Sequence, residues 1–146
     1  MADGLDFSIK IEDLTPDVQK AEENAVQRAL YAIGVKAVEG ATDAITGRYS
    51  IPSAVDTGRL RASISFITPS QSGDSGMAIP PNGSPSDRLS GKGEKDCVIV
   101  GSNVEYAEFV HNGTTNMSAR PFLREGIDKT KDVMRDQVER ILKGEM

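Results

Sequence analysis

Asp56-Thr57-Gly58 is the triplet in this chain that matches a catalytic signature. In aspartic proteases two such aspartates share one proton, because adjacent like charges cannot both ionise. A homodimer could supply the second aspartate. The surroundings argue for a turn instead: Arg59 follows where a small residue is usual, and an Ala-rich amphipathic stretch precedes the triplet. In a turn, Asp56 or Thr57 bonds nearby backbone and Gly58 takes an unusual φ. His111 is the sole histidine, so any serine triad must use it, yet the chain has no Gly-x-Ser-x-Gly elbow. No spacing fixes acidic partners around it, so it reads as a surface or interface histidine. Gly91-Lys92-Gly93 is not a phosphate loop, since Ser86 and Gly93 stand where Gly and Ser or Thr are required. Cys97 is the only cysteine, which rules out an internal disulfide and a cysteine-built zinc site. Within Asp96-Cys97-Val98-Ile99-Val100 it reads as a small core residue. Arg59 and Arg61 could touch phosphate, but such residues more often form ion pairs or flank a strand. No catalytic residue, cofactor or metal is expected.

The elements that carry these residues follow from periodicity. Leu5, Phe7, Ile9 and Ile11 alternate with polar residues, which predicts a strand over 5–11. Thr15-Pro16 resembles a helix start, with a hydroxyl at N-cap and Pro at N1. Val18, Ala21, Ala25, Ala29, Ile33, Ala37, Ala41 and Ile45 then recur near a period of 3.6, predicting a helix over 16–46. Gly34 and Gly40 within it mark a bend or a tight contact. Leu60, Ala62, Ile64 and Phe66 alternate with polar positions, predicting a strand over 61–68 entered through the turn at Gly58. A further strand is expected at 96–101. Asn103 could cap a short helical turn carrying Tyr106, Phe109 and Val110. The last helix is expected from Pro121 to about Lys143, ended by Gly144. Its acid-before-base pairs at i,i+4 are Glu125 with Lys129, Asp136 with Arg140 and Glu139 with Lys143.

Residues 68–95 differ in character. Of these 28 residues, 15 are Gly, Ser or Pro, which leaves too few apolar groups to order the segment by burial alone. It reads as a flexible loop or assembly arm, with Met77, Ile79 and Leu89 as the groups it can offer a partner. The order of elements is that of an α+β fold: a small antiparallel sheet packed against one long N-terminal and one C-terminal helix. Val100 and Ile64 should be core residues. A chain of 146 residues fits one domain.

Bulk properties narrow the function. The formal net charge is −5, which argues against a free-standing nucleic-acid-binding module, since phosphate neutralisation needs basic residues. Met1 to Lys10 lacks a basic n-region followed by an apolar run, and no apolar run is long enough to span a membrane. A soluble protein made in a reducing cytoplasm is expected.

Three segments carry a resemblance. Asp56-Thr57-Gly58-x-Leu60-Arg61-x-Ser63-Ile64 is the first, and Tyr106-Ala107-x-x-Val110 with Gly113-Thr114 the second. Ala119-x-Pro121-Phe122-Leu123-Arg124 is the third. In this order, between two long helices, they resemble the tail-completion, or head–tail joining, proteins of long-tailed bacteriophages. The chain departs from that pattern at His111, where Glu is frequent, at Asn112, where an aromatic is frequent, and at Glu125-Gly126, where Pro-Ala is frequent. The resemblance implies a non-enzymatic virion protein forming a ring, with six copies preferred, that completes the tail and joins it to the DNA-filled head. Its implied neighbours are a head-closure or connector protein and a tail-terminator or tail-tube protein, with DNA only as passing cargo. The alternatives are an aspartic-protease-like homodimer and a nucleic-acid-binding adaptor. The resemblance also makes Gly58 and Gly113 turn glycines, and Phe122 is expected to plug an apolar pocket beside Tyr106 or Phe109.

Overall fold

The computed structural model describes residues 5–16, 18, 21–47, 58–70, 79–116 and 118–144. The connection before Gly58, including Asp56 and Thr57, and the stretch containing Met77 lie outside the described residues. Among the described residues three strands form one antiparallel sheet: β1 (Leu5–Lys10), β2 (Ser65–Ile67) and β3 (Cys97–Ser102). β3 is central, flanked by β1 and β2. Among the described residues four α-helices accompany it: α1 (Glu23–Ile45), α2 (Arg59–Ser63), α3 (Ala107–Asn112) and α4 (Phe122–Leu142).

The register explains the core. Phe7 and Phe66 both lie opposite Val100, so one row runs Phe7–Val100–Phe66 across the sheet. With period two these side chains share one face. α1 packs on that face over β2 and β3. Val100 and Ile64 are fully buried, as the alternation predicts. Gly34 of α1 lies directly against the Phe66 ring, and an added Cβ would overlap that ring. The absent side chain is what lets helix and sheet meet.

α4 packs along α1 in the most extensive contact of the fold. The two run antiparallel: Gly40 meets Gly126 at one end, and Arg28 and Ala32 share a groove with Ile141 at the other. Here two backbones touch. A Cβ on Gly126 would overlap the backbone of Gly40 and Ala41. Thr130 closes the site by donating its hydroxyl to the Gly126 carbonyl at 2.8 Å. Both glycines of α1 thus mark tight contacts.

Three boundaries differ from expectation. α1 begins at Glu23, not at Pro16. Leu14, Thr15 and Val18 are buried in a separate turn whose apolar residues face the same core, so the 3.6-residue spacing runs on past the true helix start. The strand expected over 61–68 is shorter, since 59–63 form one helical turn before β2. Ser63 stabilises that turn by donating its hydroxyl to the Leu60 carbonyl at 2.5 Å. Asn103 does not cap α3. It donates from its backbone to the Asp87 carbonyl at 2.8 Å and from its side-chain amide to the Arg88 carbonyl at 3.2 Å.

Candidate functional site: the junction of the three motif segments

Gly58 opens the first segment with φ +83° and precedes α2 directly. A residue with a Cβ is strained there. The tight entry buries Leu60 and Ser63 and turns Arg59 outward. The Arg59 guanidinium grips Asp87 in a fork, Nε to Oδ2 at 3.0 Å and Nη2 to Oδ1 at 2.9 Å. It also donates to Glu105 at 3.1 and 3.2 Å and lies 5.7 Å from the centre of the Tyr106 ring. The first segment is thereby fixed to the start of the second. Bonding to Arg59 holds the Asp87 carboxyl below its usual range, and Arg59 is held protonated by Asp87 and then Glu105. Asp87 also anchors its own segment. Its Oδ2 accepts the Ser84 N–H at 3.1 Å in a capping box around the short turn Pro85–Asp87.

A second tie is fully buried. Ser63 Oγ and Ser102 Oγ are 2.6 Å apart. Because the Ser63 proton goes to Leu60, Ser102 is the donor, and its oxygen in turn accepts the Val104 N–H at 3.0 Å. This chain of hydroxyls links α2 to the end of β3 and the approach to α3.

The second segment then meets the third. Ala107 is fully buried, Tyr106 is half-buried, and burial raises its phenol pKa. Gly113 ends α3 with φ +79°, and Thr114 beyond it is exposed, accepting the Asn116 N–H at 3.2 Å. His111 is a correction: it is buried, not on the surface. Its ring lies 5.3 Å from Phe7 on one side and 5.3 Å from Phe122 on the other. Nδ1 is 2.9 Å from Asn112 Oδ1, an acceptor, so Nδ1 carries the proton. Nε2 is left to accept the Arg124 N–H at 3.3 Å. That N–H belongs to the first turn of α4, which begins at Phe122 after Pro121 and has no side-chain cap from its own N-cap position. His111 therefore caps α4 from a distance, doing what Ser or Asp does in a local cap. Burial, and then Arg124, lower its pKa. Phe122 fills an apolar site as expected, but against His111; Phe109 points outward.

The loop expectation is corrected at one position. Leu89 is buried in its own subunit and is not offered to a partner. Its N–H donates to Ser65 Oγ at 2.9 Å, on the sheet face opposite Phe66. Gly93 lies against the backbone of Thr68. The segment from 79 to 95 is tied by directional polar bonds, which a count of apolar residues does not detect. Ile79 is exposed.

Chemically, the junction is one guanidinium between two carboxylates, a hydroxyl pair and an imidazole cap. Cys97 is buried and burial pushes its thiol pKa up, away from reactivity. Among the described residues no group of three or more His, Cys, Asp or Glu could hold a metal ion. No described helix is long and apolar enough to cross a membrane. Gly58 opens a helix in an α+β fold, unlike the all-β frame in which an aspartic-protease triplet works. Asp87 and Glu105, the acids that organise the junction, escape motif reading; only Ser84-Pro85-Ser86-Asp87, a capping pattern, points to the first.

Comparison with curated proteins and with solved structures gives no match. The sequence profile of the bacteriophage HK97 gp10 tail-component family matches residues 6–113, from within β1 to Gly113 of the second motif segment. The chain belongs to this HK97-gp10-like family, and with it to the structural components of phage tails.

Proposed function

We propose that this chain is a neck subunit, copies of which form a ring that completes the phage tail and joins it to the DNA-filled head. One observation carries the reading beyond the family assignment. The three segments that resemble tail-completion proteins meet one another: Arg59 lies over the Tyr106 ring, Val110 accepts the Arg120 N–H and His111 accepts the Arg124 N–H. Such a junction suits a part whose task is to shape a surface. The net charge of −5 suits a channel wall past which DNA moves as cargo without adhering. The ring has six copies in this reading, the number carried by the resemblance. A head-closure or connector protein lies on one side and a tail-terminator or tail-tube protein on the other. Assembly takes place in the host cytoplasm and the product resides at the neck of the virion.

The test is a phage in which the gene is silenced. Filled heads and separate tails should accumulate, and adding the purified protein should restore joined, infectious particles. Normally joined particles in its absence would overturn the reading. Native mass measurement of the assembled neck should give six copies.

A further inference from the structure

Two exposed surface features of opposite shape lie on different elements of the fold. The first is a knob. Phe109 on α3 is 54% exposed, the most exposed large apolar side chain among the described residues. Its helix is anchored at both ends, where the His111 ring lies 5.3 Å from Phe7 of β1 and where Glu105, just before the helix, bonds Arg59 of α2. Acid surrounds it: Glu108 is adjacent and Glu105 lies one turn before, both exposed. The second feature is a groove of about 500 Å³ lined by Gln27, Arg28, Tyr31, Ala32, Ser70 and Ile141. It sits at the β2 edge, because Tyr31 lies edge-on to Phe66 at 5.6 Å and Ser70 follows β2 closely. Tyr31 is 43% exposed, and Val35, one turn further along α1, extends the apolar surface. Arg28 supplies a positive charge at the groove. Neither Glu108 nor Arg28 has an ion-pair partner among the described residues.

We infer that the groove at Tyr31 receives Phe109 of a second copy of this chain, with Glu108 of that copy facing Arg28. Size and chemistry agree: an aromatic ring enters an aromatic-walled apolar groove, and an acidic rim meets a basic one. The knob and the socket are two different patches, one on α3 and one along α1. They make a head-to-tail contact, which repeats around a closed ring when the rotation permits. The inference rests on the ring reading for its closure and supplies the contact between copies that reading lacks.

The experiment replaces Phe109 with a photo-crosslinking phenylalanine analogue in the full chain. Irradiation is carried out on the concentrated purified protein and on assembled virions. The expected product is a covalent pair of chains joined from position 109 of one copy to residues 27–35 of the next. Phe109→Ala should weaken self-association about thirtyfold, the scale of a central aromatic contact. Circular dichroism should be unchanged in that variant, because the side chain is exposed. Glu108→Arg and Arg28→Glu should each weaken the contact, and their combination should restore it. Adducts from 109 to 109, adducts only to other proteins, or no adduct in either sample would overturn the inference. The ring reading can fail separately. A neck ring of several copies with adducts elsewhere removes this contact and leaves the ring. One copy per virion removes the ring, while the 109-to-groove adduct in the purified protein would keep the contact.

Discussion

The α1–α4 pair and the motif junction are held together by different physics. Along α1 and α4 the contact is apolar and close, and at its tightest point Gly40 and Gly126 let backbone meet backbone. Dispersion and burial act there without direction, and salt does not weaken them. At the junction the ties are few and directional: a forked Arg59–Asp87 pair, a Ser63–Ser102 hydroxyl pair and the His111 cap on α4. Each depends on geometry, and two of the three depend on charge state. The helix pair and the motif junction are thus held by separate means.

Phe122 is where the two regions meet, and its loss should have the largest effect. It is fully buried against His111 at the first turn of α4. Phe122→Ala should cost about 3–5 kcal/mol, read as a fall in the urea midpoint. An unchanged midpoint would mean that α4 is not anchored there. Gly126→Ala probes the helix pair alone. Helix propensity favours Ala by about 1 kcal/mol, but the new Cβ meets the backbone of Gly40 and Ala41. Since backbone cannot rotate aside, a net loss of about 1–3 kcal/mol is expected. A gain in stability would show that the helices stand further apart.

Asp87→Ala probes the junction alone. It removes the Arg59 fork and the cap on the Ser84 N–H together. A loss of about 1–2 kcal/mol is expected, smaller in high salt. Equal losses in low and high salt would reject the charge-based account. The smallest effect is a dependence on pH. The pKa of His111 is lowered in the folded protein, so the unfolded chain binds the proton first as pH falls. Stability from this group is full above about pH 6.5 and declines below it, by at most about 1.4 kcal/mol per pH unit. The decline levels off once pH passes below the folded-state pKa. His111→Gln should flatten that part of the profile, and an unaltered slope would assign it to another group.

The sequence reveals these two regions unequally, for the same reason. The strands β1 and β3 and the helix α4 are legible because burial imposes a period, and period is written in residue type. The start of α1 is not, because Val18 enters the same core before the helix forms, and period alone does not distinguish the two. At the junction periodicity says nothing. His111 looks like a surface histidine until Phe7 and Phe122, distant in the chain, are brought to its two sides. Leu89 looks like an anchor offered outward because the hydroxyl that holds its backbone, that of Ser65, is 24 residues away. The turn glycines Gly58 and Gly113 are readable, since left-handed φ selects a residue type on its own.

The meeting of Gly40 and Gly126 also fixes a phase. Sliding α4 along α1 by one turn would put Phe122 or Thr130 where Gly126 now stands, and neither can approach a backbone so closely. Shifting α1 instead would present Lys36 or Ala44 in place of Gly40. The two helices therefore engage like gears with a single missing tooth on each, and only one alignment meshes. Ratcheting between packed helices, one route by which proteins change state, is closed to this pair. With the His111 tie to Arg124 only two residues from Gly126, α1 and α4 are left to move as one rigid lever.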